Sequence, residues 1–450
     1  MEGAEVLELY ELTYSDLILL SSPSNGDEST NNESIEEFER LETIRRRLME
    51  TLGPKGPGLL SITAVPKASL LRRKLLPLAR KLALLDPEQR KPLLKEHKLG
   101  SDVPLKNPDR NVSSFAMQLK YDEALDSCIG TDRPSKNSNL APIDVYNIEK
   151  FQDNVFGNLS ETFKELGYCM MDMGLRVAQV CDKAIGGYVL EQSLLESGTA
   201  KGRLIHYHSA LDSFVIRENG GRKGKNKYKE QPIRSDPSNV EGSDLVANEV
   251  RLCANRADLW QQWHYDYGIF TILTAPMFLA SCDLSNDIRK GSLLCDQEWC
   301  YPNGCSYLQI FDPNKNSIFM VKTSPESFII QVGESADILS KGKLRSKLHC
   351  VCRPRKLENL SRETFVMFLQ PAWTKTFSIS DRAVEQCILG DSLSHIENEH
   401  LDQGLNEFTS EILKLVPPLS SRLKDGMTFA VFSRETTKQY FGGNGLQSNK

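Results

Sequence analysis

Apolar side chains recur at steps of three and four in three stretches of residues 1–186, which is the spacing of helices with one buried face. The first stretch ends at Gly53, a residue type that commonly ends helices. The second covers residues 67–86, where we expect Pro77 to kink or interrupt the helix. The third and longest covers residues 148–186. The apolar positions of the first and third stretches are Phe38, Leu41, Ile44, Leu48, Leu52, Phe156, Leu159, Phe163, Leu166, Met170, Met173, Val177, Val180 and Ala184.

Residues 202–371 show a different pattern, in which short runs of β-branched and aromatic residues are separated by Pro, Gly and Asn. This pattern is typical of an antiparallel sandwich or jelly roll. Residues 217–247 and 281–305 do not follow it and are predicted to be insertions. The clearest runs cover residues 307–311, 318–322, 327–332 and 364–369.

The two ends of the chain give weaker patterns. Residues 6–20 include a short apolar segment that favours an edge strand, and residues 97–145 indicate only loops. Near the other end, the patterns predict a helix over residues 405–415 and a strand followed by a helix over residues 426–440.

Composition excludes several classes of protein. The formal net charge of −5 over 450 residues gives no overall attraction to nucleic acid or to an anionic membrane. No apolar run approaches the roughly 20 residues of a membrane span, and no secretory signal is visible. The eleven cysteines are scattered, so we expect free thiols in a reducing compartment. The expected location is the cytoplasm, with the nucleus as an alternative, and we expect a monomer.

The segment around residue 264 carries the candidate chemistry. In an extended strand, His264 and Asp266 point to the same face and offer an imidazole and a carboxylate side by side. Two imidazoles and one carboxylate form the facial triad of non-haem Fe(II), which leaves three coordination positions open. The candidate for the second imidazole is His349, expected on a facing strand. The alternative is that His264, Asp266 and His349 are ordinary strand, turn and surface residues.

These residues belong to an ordered series of motifs that resembles a known family. The order is Arg203-Leu204-Ile205-His206-Tyr207, His264-x-Asp266, Gly333-Glu334, Ser346-x-x-His349 and Arg362-x-Thr364. It is similar to the plant-type 2-oxoglutarate- and Fe(II)-dependent oxygenases, the isopenicillin N synthase-like group.

The resemblance implies a mixed α+β chain with a double-stranded β-helix, or jelly-roll, core. We expect an N-terminal α/β region over residues 1–145. The core then covers residues 146–400, includes the long backing helix, and carries the insertions near 217–247 and 281–305. Residues 401–450 form a C-terminal helical extension.

The resemblance also implies the ligands of the site. His264, Asp266 and His349 hold Fe(II), and 2-oxoglutarate is the cosubstrate, with ascorbate as a further candidate cofactor. Arg362 and Thr364 are two apart on one strand face, where a guanidinium fork and a hydroxyl fit the far carboxylate of 2-oxoglutarate. Tyr207 stands where the family has a tyrosine whose hydroxyl reaches the cosubstrate. The expected reaction is oxidation of a C–H bond in a small-molecule substrate, coupled to formation of succinate and CO₂.

Several alternatives stay open from the residues alone. A degenerate oxygenase fold that serves as a binding or scaffold module is one, and an iron oxidase that does not use 2-oxoglutarate is another. Arg362 is alternatively a surface residue paired with Glu363 or Glu358. His206 and His208, which lack a carboxylate nearby in the sequence, are alternative metal ligands.

Two further groups of residues have a plain and a functional interpretation. The basic run at residues 222–229 is expected to be a solvated loop, with a nuclear-import or nucleic-acid patch as the alternative. A zinc site formed by Cys282, Cys295, Cys300 and Cys305 is the alternative to free loop thiols, although the spacing lacks paired Cys-x-x-Cys motifs.

Overall fold

A computed structural model describes most of the regions in which the motifs lie. Its described residues are 5–22, 32–124 except 102, 104, 108 and 109, 155–220, 259–281, 296–299, 304–378 except 313, 314, 316, 355, 356 and 358, and 416–441. The predictions for the basic run 222–229, for Cys282, Cys295 and Cys300, and for a helix over residues 405–415 lie outside the described residues.

The described residues form sixteen strands and ten helices. The strands are β1 Glu5–Glu8, β2 Glu11–Thr13, β3 Leu59–Thr63, β4 Val112–Lys120, β5 Thr199–Tyr207, β6 Leu259–His264, β7 Phe270–Thr274, β8 Met277–Ser281, β9 Asp296–Trp299, β10 Cys305–Asp312, β11 Ser317–Lys322, β12 Phe328–Val332, β13 His349–Cys352, β14 Leu360–Leu369, β15 Thr376–Phe377 and β16 Met427–Thr428. The helices are α1 Tyr14–Ser21, α2 Asn32–Leu52, α3 Ala68–Leu84, α4 Pro87–Glu96, α5 Leu159–Ile185, α6 Val189–Ser197, α7 Ala210–Gly220, α8 Glu334–Leu339, α9 Leu419–Arg422 and α10 Phe429–Phe441.

The core strands form two sheets, so the molecule is mixed α and β. The smaller sheet has the order β1-β11-β10-β13-β6. The larger sheet has the order β2-β3-β12-β7-β14-β5-β4, with β8 and β9 paired beside it through β14. Neighbouring core strands are antiparallel, as the sequence pattern predicted, whereas β1 and β2 join the sheet edges in parallel. Apolar side chains from both sheets share one buried cluster, so the two sheets face each other.

Helix α5 packs on the outer face of the larger sheet at two glycines. A Cβ on Gly167 would overlap the side chain of Leu119, and one on Gly174 would overlap that of Leu369. The two glycines are seven residues apart and therefore lie on the same side of the helix. The absence of a side chain at these two positions lets the helix backbone come close to strands β4 and β14, which supports the strand that carries Arg362 and Thr364.

Most predicted helices are found, with differences at their ends. Helix α2 ends at Leu52, immediately before Gly53, as predicted. The long helix covers Leu159–Ile185 and ends before Gly186, whose φ of 88° suits glycine. Residues 155–158 before it form a turn, and the predicted helical residues 148–154 lie outside the described residues.

Helix α3 runs through Pro77, so of the expected kink or interruption, the interruption was wrong. The proline removes one backbone N–H from the helix, which by itself is destabilising. Leu75, Leu76 and Leu78 on both sides of it are buried in the main apolar cluster, and this packing holds the helix in place.

Two predictions near the first hundred residues were wrong or incomplete. Residues 6–20 contain two short strands, but the apolar segment at Leu17–Leu20 belongs to helix α1. Residues 97–145 were expected to be loops, yet β4 pairs with β5 over nine residue pairs. Polar residues within β4, such as Ser113 and Ser114, hide the strand from a hydrophobicity pattern although both are buried.

A separate apolar cluster attaches the C-terminal part of the described chain. Helix α10 packs through Phe429 and Phe432 against Ile338 of α8 and against Phe377. The expected strand and helix near residues 426–440 are confirmed as β16 and α10. Within the described residues, no helix is both long enough and apolar enough to cross a membrane.

Candidate metal and cosubstrate site

Strands β6 and β13 are neighbours in the smaller sheet and bring two imidazoles together. His264 pairs with His349 in the antiparallel register, and their ring centroids are 4.2 Å apart. The register shifts after this pair, which indicates a β-bulge. The bulge lets Gln261 and His264, three residues apart, both line the same cavity.

Asp266 completes the group from a loop. Strand β6 ends at His264, so Asp266 lies in the loop that follows. The expectation that Asp266 lies on the strand was therefore wrong. Its backbone carbonyl accepts a hydrogen bond of 2.8 Å from the Glu334 N–H, which fixes the loop against the start of helix α8. His349 likewise lies on the adjacent strand of the same sheet and not on a facing strand.

The three side chains have the geometry expected of a metal-ligand set. Nε2 of His264 lies 3.8 Å from Asp266 Oδ1, and Nε2 of His349 lies 3.7 Å from Asp266 Oδ2. One ligand atom from each residue lies within 4.8 Å of the others, and all three side chains are buried. Bonds of about 2.1 Å at right angles place ligand atoms about 3 Å apart, so small side-chain rotations suffice to hold one ion.

Backbone carbonyls orient both imidazoles for this role. Nδ1 of His264 donates to the Gln262 carbonyl at 2.7 Å, and Nδ1 of His349 donates to the Lys347 carbonyl at 3.1 Å. With the proton on Nδ1, the lone pair is on Nε2, which is the atom nearest Asp266 in both residues. Hydrogen bonds of this kind fix the tautomer and orientation of metal-binding histidines.

Electrostatics keep His264 in the neutral form that a metal requires. Burial, followed by the nearby charge of His349, lowers the pKa of His264 to about 4, although Asp266 opposes the shift. A neutral imidazole at pH 7 offers its lone pair without first losing a proton.

Tyr207 reaches the same cavity from strand β5 and is linked to the imidazole pair through Gln261. Its hydroxyl donates to Gln261 Oε1 at 2.8 Å, and Gln261 Nε2 lies 2.9 Å from His264 Nε2. Burial raises the pKa of Tyr207, so the phenol remains a neutral donor at pH 7. Because Gln261 contacts the lone pair that a metal needs, it must shift when an ion binds.

Arg362 and Thr364 line the cavity from strand β14 in the facing sheet. Arg362 is only 2% exposed, its Nε donates to the Ser306 carbonyl at 3.1 Å, and its guanidinium lies over the Tyr207 ring. Glu363 points to the other side of the sheet, where it contacts His206. The alternative of a surface arginine paired with Glu363 is therefore wrong.

The structure brings all six predicted site residues to the wall of one cavity between the two sheets. They are His264, Asp266, His349, Arg362, Thr364 and Tyr207. The space inside the cavity that the centre of a water molecule can reach is about 60 Å³.

Three polar residues near the site were missed by the sequence analysis as functional groups. Gln261 and Arg203 line the cavity, and the side-chain amide of Gln331 lies 2.6 Å from Nδ1 of His349. Arg203 is two residues before Ile205 and four before Tyr207 on strand β5, so the three side chains point to the same face. This alternation would have identified Arg203 as a residue of the site. Gln261 had no such signal, because the bulge in β6 breaks the alternation.

His206 and His208 lie away from this cavity in a buried polar cluster. Carboxylate oxygens of Glu363 and Asp212 lie 2.9 and 3.6 Å from His206, so carboxylates are nearby in space although not in sequence. Arg80 binds Asp212 at 2.8 Å and compensates the charge of that carboxylate. Among the described residues, only His264, Asp266 and His349 form a group that meets the geometric requirement for a metal.

The cysteines that follow the second histidine have structural contacts. Cys350 is buried with its Sγ 3.6 Å from Gln309 Oε1, and Cys352 Sγ lies 3.4 Å from the Tyr307 carbonyl. Cys305, the one described member of the four-cysteine zinc alternative, is a buried thiol that forms no disulfide.

Searches with the sequence found no matching family model and no matching curated protein. Solved structures do resemble the chain. A full-length Neurospora crassa protein in complex with alpha-KG is 15% identical, with a TM-score of 0.47 over 92% of this chain and 99% of that one. The rice dioxygenase for auxin oxidation is 14% identical, with a TM-score of 0.46 over 94% and 98%. JOX2 in complex with 2OG, Fe and JA is 13% identical, with a TM-score of 0.45 over 85% and 80%.

One of these structures is named a dioxygenase, and another contains 2OG and Fe. The identities are low and the TM-scores are below 0.5.

Proposed function

We propose that this protein is an Fe(II)- and 2-oxoglutarate-dependent oxygenase that acts on a small-molecule substrate. The observation that carries the proposal is the convergence of His264, Asp266 and His349 at the wall of a cavity, with both Nε2 atoms directed at one carboxylate. Two imidazoles and one carboxylate are the donor set of non-haem Fe(II) and leave room for further ligands.

The fold that goes with this function is a jelly roll. The four central strands of the larger sheet, β12, β7, β14 and β5, face those of the smaller sheet, β11, β10, β13 and β6. From β11 to β14, successive strands alternate between the two sheets, as they do in a jelly roll, and the proposed site lies between the layers. The domain limits at residues 145 and 400 stay a prediction.

The chain supplies binding, orientation and shielding. Bound Fe(II) and 2-oxoglutarate would supply the oxidising chemistry with O₂ as the oxidant: one oxygen atom would enter succinate as 2-oxoglutarate loses CO₂, and the other would oxidise a C–H bond of the substrate. His264, Asp266 and His349 hold the ion, and the carbonyls of Gln262 and Lys347 keep the two Nε2 lone pairs directed at it.

Arg362 and Thr364 would bind the cosubstrate. Its buried guanidinium provides charge-assisted donors for the far carboxylate of 2-oxoglutarate, and Thr364 adds a hydroxyl on the same strand face. Tyr207 lies against Arg362 and holds Gln261 beside His264. A guanidinium on the wall of the same cavity as the metal ligands favours a 2-oxoglutarate enzyme over an oxidase that needs no cosubstrate, since its donors match a carboxylate.

Turnover with purified protein tests this function. Fe(II) and 2-oxoglutarate should give succinate in the wild type, and His264→Ala or Asp266→Ala should abolish that reaction. Lys120→Met, a change at an exposed residue at the end of β4, is the control and should leave it unchanged. Succinate formation at the wild-type rate in both ligand variants would exclude these residues as iron ligands.

A further inference from the structure

The side chain of Gln261 joins a proposed metal ligand to a proposed cosubstrate residue. It lines the cavity, with its Nε2 2.9 Å from Nε2 of His264 and its Oε1 2.8 Å from the hydroxyl of Tyr207. Nδ1 of His264 donates to the Gln262 carbonyl, so Nε2 of the neutral ring can only accept a hydrogen bond. The amide of Gln261 is therefore the donor to His264, and its oxygen accepts from Tyr207 at the other end.

An ion at His264 must replace the first of these two contacts. The Nε2 atom has a single lone pair, which cannot both bind a metal and accept a hydrogen bond. The contact with Tyr207 involves the other end of the amide and does not compete with the ion. Gln261 is half-buried and faces the cavity, so its –NH₂ group can turn away from His264 while the bond to Tyr207 is kept.

The displaced N–H groups of Gln261 stay between the metal ligands and the cosubstrate residues. On one side is His264, and on the other is Tyr207, whose ring lies beneath the guanidinium of Arg362. A molecule that reaches from the ion toward Arg362 would pass this amide and offer it oxygen acceptors. An amide N–H that loses one acceptor inside a protein cavity is stabilised by finding another.

We propose that Gln261 has two successive partners: it donates to His264 until an ion binds, and then to the end of 2-oxoglutarate that is nearer the ion. The acceptor in the second state is an oxygen of the carboxylate or oxo group at that end. Gln261 therefore opposes metal binding and favours cosubstrate binding. This inference rests on the proposed function, because the second partner is 2-oxoglutarate.

Calorimetric titration of the full chain, with Mn(II) in place of Fe(II), tests the two partners separately. The first stage measures Mn(II) affinity, and the second adds 2-oxoglutarate or 2-oxopentanoate, which lacks the far carboxylate, to the Mn(II)-loaded protein. The variants are Gln261→Leu, which removes the amide, and Gln261→Asn, which shortens the side chain by one methylene. Gln118→Leu, the same change at an exposed residue of β4 outside the cavity, is the control.

Gln261→Leu should bind Mn(II) about twofold to tenfold more tightly than the wild type, because the ion no longer displaces a hydrogen bond. It should bind 2-oxoglutarate and 2-oxopentanoate more weakly by a similar factor of about threefold to tenfold, because both lose the same donor. Gln261→Asn should change both affinities in the same directions by smaller factors, and Gln118→Leu should match the wild type. A variant that merely loosened the fold would weaken both kinds of binding.

Unchanged or weaker Mn(II) binding by Gln261→Leu would overturn the inference alone, as would an unchanged affinity for 2-oxoglutarate. A loss seen with 2-oxoglutarate but not with 2-oxopentanoate would also overturn it, because Gln261 would then contact the far carboxylate. The same criteria apply to Gln261→Asn if Gln261→Leu does not fold. Failure of the wild type to bind Mn(II) or 2-oxoglutarate would overturn the proposed function and the inference with it.

Discussion

At the scale of single residues, the site is held by contacts that set protonation and direction. The carbonyls of Gln262 and Lys347 accept the Nδ1 protons of the two histidines and direct their Nε2 atoms at Asp266. These carbonyls belong to the backbone, so no side-chain identity predicts them. The ligand residues themselves were predictable because their types match the chemistry, whereas Gln261 was not, because its inward direction depends on a bulge.

The role of Arg362 gives a prediction at this scale. Arg362→Met should weaken 2-oxoglutarate binding to the Mn(II)-loaded protein by about tenfold to a hundredfold, since it removes charge-assisted hydrogen bonds. Binding of 2-oxopentanoate, which has the same chain length without the far carboxylate, should hardly change. Calorimetry with both ligands measures this difference. An equal loss for the two would show that Arg362 does not contact that carboxylate.

His208 gives a prediction about pH. Burial, followed by the charges of His206 and Arg110, holds the pKa of His208 well below its usual 6.5, so the folded protein keeps it neutral while the unfolded chain takes up a proton. Stability due to this residue is therefore present above about pH 6.5 and is lost as pH falls below that value.

Urea unfolding of the metal-free protein at pH 7 and pH 5 measures the effect. The wild type should lose more stability between these values than His208→Gln, which cannot take up the proton. Its other neighbours, Ser113 and the ring of His206, are unchanged in the variant. The same pH dependence in both proteins would contradict the assignment.

At the scale of elements, the position of Asp266 depends on how its loop packs on the start of helix α8. The N–H groups of Glu334 and Ser335 donate to the carbonyls of Asp266 and Gly268 at 2.8 and 3.0 Å. Arg422 of α9 forms a buried ion pair with Glu334, and Tyr267 packs against Phe429 of α10. The C-terminal elements therefore support the loop that supplies the carboxylate ligand.

The backbone of Gly333 lies close to the loop that carries Asp266. A Cβ at this position would overlap the Gly268 carbonyl oxygen and lie 3.2 Å from that of Asp266. Gly333→Ala should therefore displace the loop and weaken Mn(II) binding by at least about tenfold, which corresponds to about 1.4 kcal/mol. Gly187→Ala is the matched control, because nothing described lies within 4 Å of the added carbon.

Calorimetric titration with Mn(II) provides the comparison. Unchanged affinity in the Gly333 variant would contradict the claim that this contact positions Asp266. A similar loss in the Gly187 variant would show that the effect is not specific to the loop.

At the scale of the whole molecule, the sequence predicted the kind of fold better than its details. The alternation of short runs indicated antiparallel sheets, and the long amphipathic pattern indicated α5, whose Gly167 and Gly174 allow close packing. Strand β4 was missed because its buried positions include serines, which a hydrophobicity pattern does not count as core. Its partner strand, β5, is also far away in the sequence, so no local signal indicates the pairing. His264 and His349 are 85 positions apart in the sequence and are direct neighbours on two paired strands. This contact depends on the register of the strands, which the sequence pattern does not predict.

The most direct test of the account is metal binding by the three proposed ligands together. Electron paramagnetic resonance during titration with Mn(II) should show one ion bound per wild-type chain. His264→Ala, Asp266→Ala and His349→Ala should each weaken that binding strongly, while His206→Ala, a change in the separate buried cluster, should retain the stoichiometry in whatever fraction remains folded. Wild-type affinity in the His349 variant, or loss of the ion only in the His206 variant, would contradict the site described above.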